Sequence, residues 1–435
     1  MPPVPNFGPR PELPPFTPDR HAEPPATSEV VVVGGGMVGA SAAYHLARAG
    51  MRPLVIEANA PARGASGRSA GMALAGLGGR FGQVTRLVQE AGGGRSILDY
   101  TARSLDLIEA WDAELPGGLE WDRSGSLDLA LDPAEEARIR HAAAIQAAEG
   151  LDVEIIGADP LRELAPGLAT EAVRAAKWTP RDGKLNPFRL CDGLLDAVRE
   201  LGGTVVTAVR VERVLARDGR ASGVTTSAGE VSTGSVLLAT GARTPALAEH
   251  LASNLTPIRE TVCMTEALPF RICEPGFETN QGNEYWHQMR SGEVLVGGSA
   301  VADDRMEVGS YSTAIRPQVP AMLTARLARL HPRMRDVRIV RCWAGLLDFA
   351  SLEIPMAGPL PSESGQPLPG AFVAAGLTGH GHAYAPILGL LVAELISSGA
   401  ARTMSLDPFD PRRYVGTTHR PSWLDPSDGP PRILR

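Results

Sequence analysis

Four consecutive valines, Val30–Val33, open the hydrophobic pattern of the chain, followed by the glycine turn Gly34–Gly39 and a small-residue stretch, Val38–Ala49, ending at Gly50. A short apolar β-branched run before a glycine turn predicts a buried parallel strand. Val38–Ala49 predicts a helix with Gly50 just past its end, and Pro53–Glu57 predicts the next strand, which completes a βαβ unit. Further along, Leu87–Leu115 has a helical period, Leu127–Leu131 reads as a strand and Pro133–Glu149 as an alanine-rich helix. A second βα region follows, with helix Cys191–Leu201, strand Thr204–Thr207, a hairpin-like Arg210–Ser227 and strand Ser235–Ala239. Short alternating strands, Thr261–Thr265 and Val294–Gly297, and a helix near Val319–Leu330 come next. The chain closes with strand Ala371–Ala375 and helix Pro386–Ser397.

Segments of the opening type thus recur at the start, middle and end. The pattern predicts an α/β fold (α+β overall) whose main domain is discontinuous, with a mixed β-sheet domain inserted twice. We place the main domain at 28–115, 173–256 and 340–404, and the inserted domain at 116–172 and 257–339. A proline-rich arm (1–27) and a proline-rich tail (405–435) flank them.

With 435 residues, two domains are the natural expectation. A net charge of −7 argues against a nucleic-acid partner, which needs a basic face. Lys177 and Lys184 are the only lysines. Cys191, Cys263, Cys273 and Cys342 have no metal-ligand spacing, so we expect reduced thiols and no metal. Met1–Ser28 lacks the apolar centre of a signal peptide, and the longest apolar run, Ala385–Ile396, is interrupted by Gly389 and Glu394. No membrane span and a cytoplasmic location are expected.

Gly34-x-Gly36-x-x-Gly39 between a strand and a helix carries the first chemistry. Its glycines permit a tight turn, let backbone approach a pyrophosphate and let helix pack on strand, with phosphates over the helix N-terminus. Glu57 ends the second strand where a carboxylate accepts ribose hydroxyls and repels a 2′-phosphate. The fold implied is Rossmann-like. Gly64–Met72 is a glycine-rich loop able to press backbone against a flat ring, which favours FAD over NAD.

The βαβ unit and this loop resemble the D-amino-acid-oxidase-like flavoproteins, which include glycine oxidase, sarcosine oxidases and D-hydroxyproline dehydrogenases. Asp182-Gly183-x-x-x-Pro187, Ala239-Thr240-Gly241-Ala242, Cys342-Trp343-Ala344-Gly345-Leu346 and Gly376-x-x-Gly379-His380-Gly381 extend the resemblance in order. Pro257-Ile258-Arg259 and Tyr285-Trp286-His287-Gln288 look like sarcosine oxidase β-subunits and D-hydroxyproline dehydrogenase subunits. The resemblance assigns FAD contacts to Gly34, Gly36, Met37, Val38, Gly39, Glu57, Ala58, Ala65, Ser66, Arg68, Ser69, Ala70, Gly71 and Met72. It adds Val209, Ala239, Thr240, Gly241 and the closing run Gly379, His380, Gly381, His382 and Ala383. That run precedes a helix whose N-terminus points at the flavin N1–C2=O edge in the family, with Pro386 expected in its first turn.

Non-covalent FAD is implied: relatives with a histidine linkage carry it near the glycine-rich loop, and no histidine lies between His45 and His141. Cys342, near where cysteine-linked members attach the flavin, is expected in a packed strand. The implied reaction is oxidation of the C–N bond of a D-amino acid or a secondary or N-substituted amino acid, by hydride transfer to flavin N5, giving an imine. Where glycine-oxidase-like members hold the substrate carboxylate with arginines, this chain has Leu347 and Gly379. Arg290 and Arg259 are then the candidate anchors, and His380 and His287 the candidate site histidines. Two other readings stay open: a 2-hydroxy-acid dehydrogenase, and a flavin-holding subunit of a multi-subunit dehydrogenase. A partner subunit or electron acceptor is possible under any of them.

Overall fold

A computed structural model describes residues 23–78, 97–279, 283–298 and 307–417. The expected helix Leu87–Leu115 is described only as Ile97–Glu114, its earlier part lying outside the described residues, as do most of the two terminal arms.

Val30–Val33, Pro53–Ile56 and Thr204–Val206 pair in parallel, as do Val30–Val33 with Val236–Leu238 and the latter with Pro367–Ala375. Met356–Pro361 closes one edge antiparallel, giving a six-stranded sheet. Every residue of Val30–Val33 and Pro53–Ile56 is buried, as strands covered on both faces require. On one face pack the helices Met37–Arg48, Ile97–Glu114, Pro187–Glu200 and Gly381–Ser398. On the other lies a three-stranded sheet, Val211–Arg217, Arg220–Thr226 and Gly229–Ser232. Asp218 and Gly219 both have positive φ, the mirror-image turn that suits a two-residue hairpin.

The second body is a mixed eight-stranded sheet, in which Gly276–Thr279 runs parallel to Ser126–Ala130 and the other neighbours are antiparallel. Two expected boundaries differ. Ile339–Ala350, which carries Trp343-Ala344-Gly345, is an edge strand of this sheet and pairs along its length with Leu255–Thr265. Ala175–Thr179 also belongs to it, through Ser126–Ala130. The inserted sheet therefore extends past residue 340, and its edge abuts the loop at Ala65–Arg68.

The last helix starts at Gly381, so Pro386 sits in its second turn rather than its first. Among the described residues this is the one helix long and apolar enough to cross a membrane, yet Ala383–Gly389 is wholly buried in the main core.

Candidate active site

The glycine turn has the close approaches its spacing implies. Gly34 adopts φ +110°, and a Cβ there would lie 2.4 Å from the Ala239 carbonyl oxygen. A Cβ on Gly39 would lie 1.9 Å from the Gly34 oxygen, so only glycine lets this helix start against the strand. Gly36 offers no side-chain cap to the Met37–Arg48 helix; the Met37 N–H instead donates to Ser66 Oγ at 3.0 Å, tying the turn to the second loop. Glu57 accepts from the Gly35 N–H and the Asn59 N–H, both at 2.8 Å. Those bonds fix the carboxylate at the strand end and leave it further acceptor capacity. Val209 donates to the Glu57 carbonyl oxygen, with Ala58 exposed beside it. Ala239, Thr240 and Gly241 (φ +53°) form the facing strand end.

The second loop is clasped from three sides. Ala65–Arg68 is one short helical turn, and Ser69 Oγ donates to the Ser66 oxygen. Arg68 Nη1 donates to the Ala344 oxygen at 2.6 Å, and Trp343 Nε1 donates to the Arg68 oxygen at 2.8 Å, so the loop and the WAG strand hold each other. Gly71 (φ +77°) and Met72 run on into a two-residue pairing with Gly183–Lys184. Behind it the buried Asp182 accepts from the Ala75 N–H and Ser126 Oγ, and burial raises its carboxyl to about 7.

Gly376, Thr378 and Gly379 all have positive φ and make the sharp turn before the closing helix. Asp348 Oδ2 accepts the Gly376 N–H at 2.6 Å and its carbonyl accepts the Thr378 N–H, so the WAG strand also sets this turn. Burial raises the Asp348 carboxyl to about 6.

Ser69–Met72 and Gly379–Ala383 meet in one pocket with the large sheet, lined further by Leu74, Leu347 and Phe349 and by Glu260, Glu278 and Tyr285. The Tyr285 hydroxyl donates to Glu260 Oε2 at 3.1 Å. Its ring reaches across because Gly297 lies beneath, where a Cβ would sit 2.3 Å from the ring. Tyr285, Glu278, Asp128 and Lys177 occupy directly paired positions on four adjacent strands. Lys177 Nζ and Asp128 Oδ2 lie 2.6 Å apart at the buried end of that row. His382 is buried in the pocket wall with no hydrogen-bond partner for Nε2, and burial lowers it to about 4.

Among the candidate site residues, His380 lines the pocket, with Nδ1 3.1 Å from the Thr378 oxygen. His287 does not; its Nε2 lies 2.8 Å from the Ala70 oxygen, behind the loop, and burial lowers it to about 4. Arg259 is not placed as an anchor. It is buried in a two-pronged ion pair with Glu307, at 2.7 and 2.8 Å. Arg290 is exposed in a hairpin turn between Met289 and Gly292, away from the pocket. Strand alternation explains the first correction: Glu260 faces the pocket, so its neighbour Arg259 faces the other side. Glu260 was legible as that alternate position, whereas nothing local marks Glu278 or Asp348.

Residues 29–395 match the profile of the DAO family, FAD dependent oxidoreductase. The chain belongs to that family. It is 26% identical to hydrogen cyanide synthase subunit HcnC of Pseudomonas protegens, over 89% of this chain and 96% of the relative. It is 28% identical to 4-methylaminobutanoate oxidase (formaldehyde-forming) of Paenarthrobacter nicotinovorans, over 94% of this chain and 48% of that longer protein. The crystal structure of L-proline dehydrogenase from P. horikoshii superposes with a TM-score of 0.77 at 25% identity, over 90% of this chain and 98% of the other.

The protein is thus an FAD-dependent oxidoreductase, and the residues present fit that cofactor. The Gly34–Gly39 cradle and the helix N-terminus behind it suit the pyrophosphate, and Glu57 the ribose. The Ala65–Met72 loop and the Gly379–Ala383 turn, with its orphaned His382 nitrogen, suit the ring.

Proposed function

We propose that the chain oxidises the carbon–nitrogen bond of a small secondary or N-substituted amine to an imine, which water hydrolyses. The observation that carries this reading is the pocket where the loop, the closing turn and the large sheet meet. Two of the relatives are named for 4-methylaminobutanoate and for L-proline, both secondary amines. FAD supplies the two-electron acceptor for the hydride leaving the amine-bearing carbon. The protein binds and orients: Glu260, steadied by Tyr285, accepts amine N–H groups, while Leu74, Leu347 and Phe349 keep water from the reacting carbon.

Oxidation of a 2-hydroxy acid needs a base at the hydroxyl. His287 lies outside the pocket, which leaves His380, in the pocket lining, as the candidate base for that reading. An anaerobic screen decides: amines should bleach the bound flavin, and bleaching by hydroxy acids alone overturns the proposal.

We also propose that electrons pass to a partner or quinone-like acceptor rather than to oxygen. Positive charge beside the flavin stabilises superoxide. Lys177 is paired with Asp128, and Lys184 with Asp122 and Ser124, so neither lysine of the chain lines the pocket. The relative HcnC is itself named a subunit. Reoxidation of substrate-reduced protein should be slow in air and fast with an artificial dye; rapid reaction with oxygen would place it among the oxidases.

A further inference from the structure

We infer that Cys263 and Cys342 are a redox-active dithiol, closed to a disulfide by a peroxide, and that closing it fastens the strand that clasps the flavin loop. The inference is independent of which amine the pocket takes. The two residues are directly opposed on the antiparallel strands Leu255–Thr265 and Ile339–Ala350, and the Cys342 thiol donates to Cys263 Sγ at 3.3 Å. Directly opposed residues in such a pair have Cα atoms about 4.5 or 5.5 Å apart, and both spacings lie within the range a disulfide bridges. The backbone can therefore stay in place while side-chain rotation closes the sulfurs from 3.3 Å to about 2.05 Å. A register shift just beyond, between Met264 and Thr265, loosens the ladder at this end of the pair. Cys191 and Cys273 are fully buried and touch no other cysteine among the described residues.

Cys342 is half-buried on the edge strand of the large sheet, and Ile339, Val340 and Arg341 before it are exposed. A small oxidant thus reaches its sulfur from the free end of the strand. Cys263 is fully buried behind it, and burial, with the neighbouring thiol, pushes its own thiol up. Cys342 therefore reacts first. Its sulfur attacks hydrogen peroxide, the O–O bond breaks, one water leaves and Cys342 becomes a sulfenic acid. The Cys263 sulfur then attacks the Cys342 sulfur; the S–O bond breaks, the S–S bond forms, and the Cys263 proton leaves with the hydroxyl as a second water. The two thiols have lost two hydrogens and two electrons, and one peroxide has become two waters.

Both sulfurs belong to the core under the helix Gln318–Leu330, on the face of the sheet turned from the flavin loop. The next residue, Trp343, faces the other way. Its Nε1 donates to the Arg68 oxygen, and Arg68 Nη1 donates to the Ala344 oxygen. An edge strand has one neighbour in its sheet, so a bridge at position 342 ties it covalently to that neighbour one residue before the clasp.

The test exposes the FAD-loaded protein to a small excess of hydrogen peroxide and then titrates thiols in denaturant. The reduced protein should show all four cysteines and the oxidised protein only Cys191 and Cys273, with dithiothreitol restoring the other pair. Peptide mapping should find Cys263 linked to Cys342. In Cys263→Ala the resolving thiol is gone, so the sulfenic-acid trap dimedone should label Cys342. On dilution, FAD should leave the oxidised protein severalfold more slowly than the reduced protein, and dithiothreitol should restore the faster release. Cys342→Ser should release FAD at one rate with or without peroxide. Four thiols after peroxide, or a bridge that involves Cys191 or Cys273 or joins two chains, overturns the site. Equal FAD release from the two forms of the wild type overturns the fastening.

Discussion

Glu57 shows how much one side chain can organise. Its two oxygens take the N–H groups of Gly35 and Asn59, so the glycine turn and the strand end are held in register before any ribose arrives. Glu57→Ala should therefore weaken FAD binding by about 1–3 kcal/mol, roughly 5- to 150-fold in the dissociation constant. Titration of the apoprotein with FAD measures this, and retention equal to wild type would remove Glu57 from the cofactor site. Glu57→Gln, which keeps one acceptor oxygen, should fall between the two. This residue was legible in the sequence because its position follows from a local pattern, a strand ending a fixed distance after a glycine turn. Glu278 and Asp348 were not, because what places them is pairing between strands far apart in the chain. The arginines misled for a related reason: charge type was visible, but the face of the strand and the partner Glu307, 48 residues away, were not.

At the level of elements, the cofactor site depends on two helices that begin at it and cross behind it. Met37–Arg48 and Gly381–Ser398 approach closely because position 389 is glycine; a Cβ there would lie 2.3 Å from Ser41 Oγ and 2.8 Å from the Ala42 nitrogen. Ser41 Oγ donates to the Pro386 oxygen at 2.9 Å, which helps seal the contact. Gly389→Ala should force the helices apart at a cost of about 1–3 kcal/mol, the usual range for overpacking a tight core. Because both helix N-termini face the cofactor, the same change should lower FAD retention as well as the melting temperature of the apoprotein. A melting temperature and FAD content within error of wild type would mean that the crossing tolerates the extra methyl. Most elements were legible from periodicity, including the opening βαβ unit. The WAG strand was assigned to the wrong sheet because its motif reports proximity to flavin, and a strand can be near the flavin from either body. The closing helix was started too late because Pro386 reads as a first-turn residue, while Gly381–Ala385 had no strong helix signal to outweigh it.

For the whole molecule, buried titratable groups of both kinds set how stability responds to acid. His45, His287, His331 and His382 are each lowered by burial from 6.5 to about 4. Each is neutral when folded and takes up a proton on unfolding below pH 6.5, so its contribution is complete above 6.5 and is lost as pH falls toward about 4. Asp182 and Asp348 work the other way. Burial raises them from 3.8 to about 7 and about 6, so they hold protons in the folded state that the unfolded chain releases. Their contribution is complete below 3.8 and is lost as pH rises through those values. Asp192, raised by burial to about 6, adds to them, so near pH 5.5 unfolding takes up about four protons at the histidines and releases about three at the three aspartates, leaving a net uptake of about one. Stability should then fall by about 1.4 kcal/mol for each unit the pH drops in that region. Asp182→Asn can keep the bonds to Ala75 and Ser126 while removing one of the opposing protons. Its slope should steepen to about 2.7 kcal/mol per pH unit. Denaturant unfolding of the FAD-loaded protein between pH 5 and 6.5 measures both slopes. An unchanged slope in the variant would show that Asp182 is ionised in the folded protein, and that the lysine end of the buried row, Lys177, reaches it electrostatically.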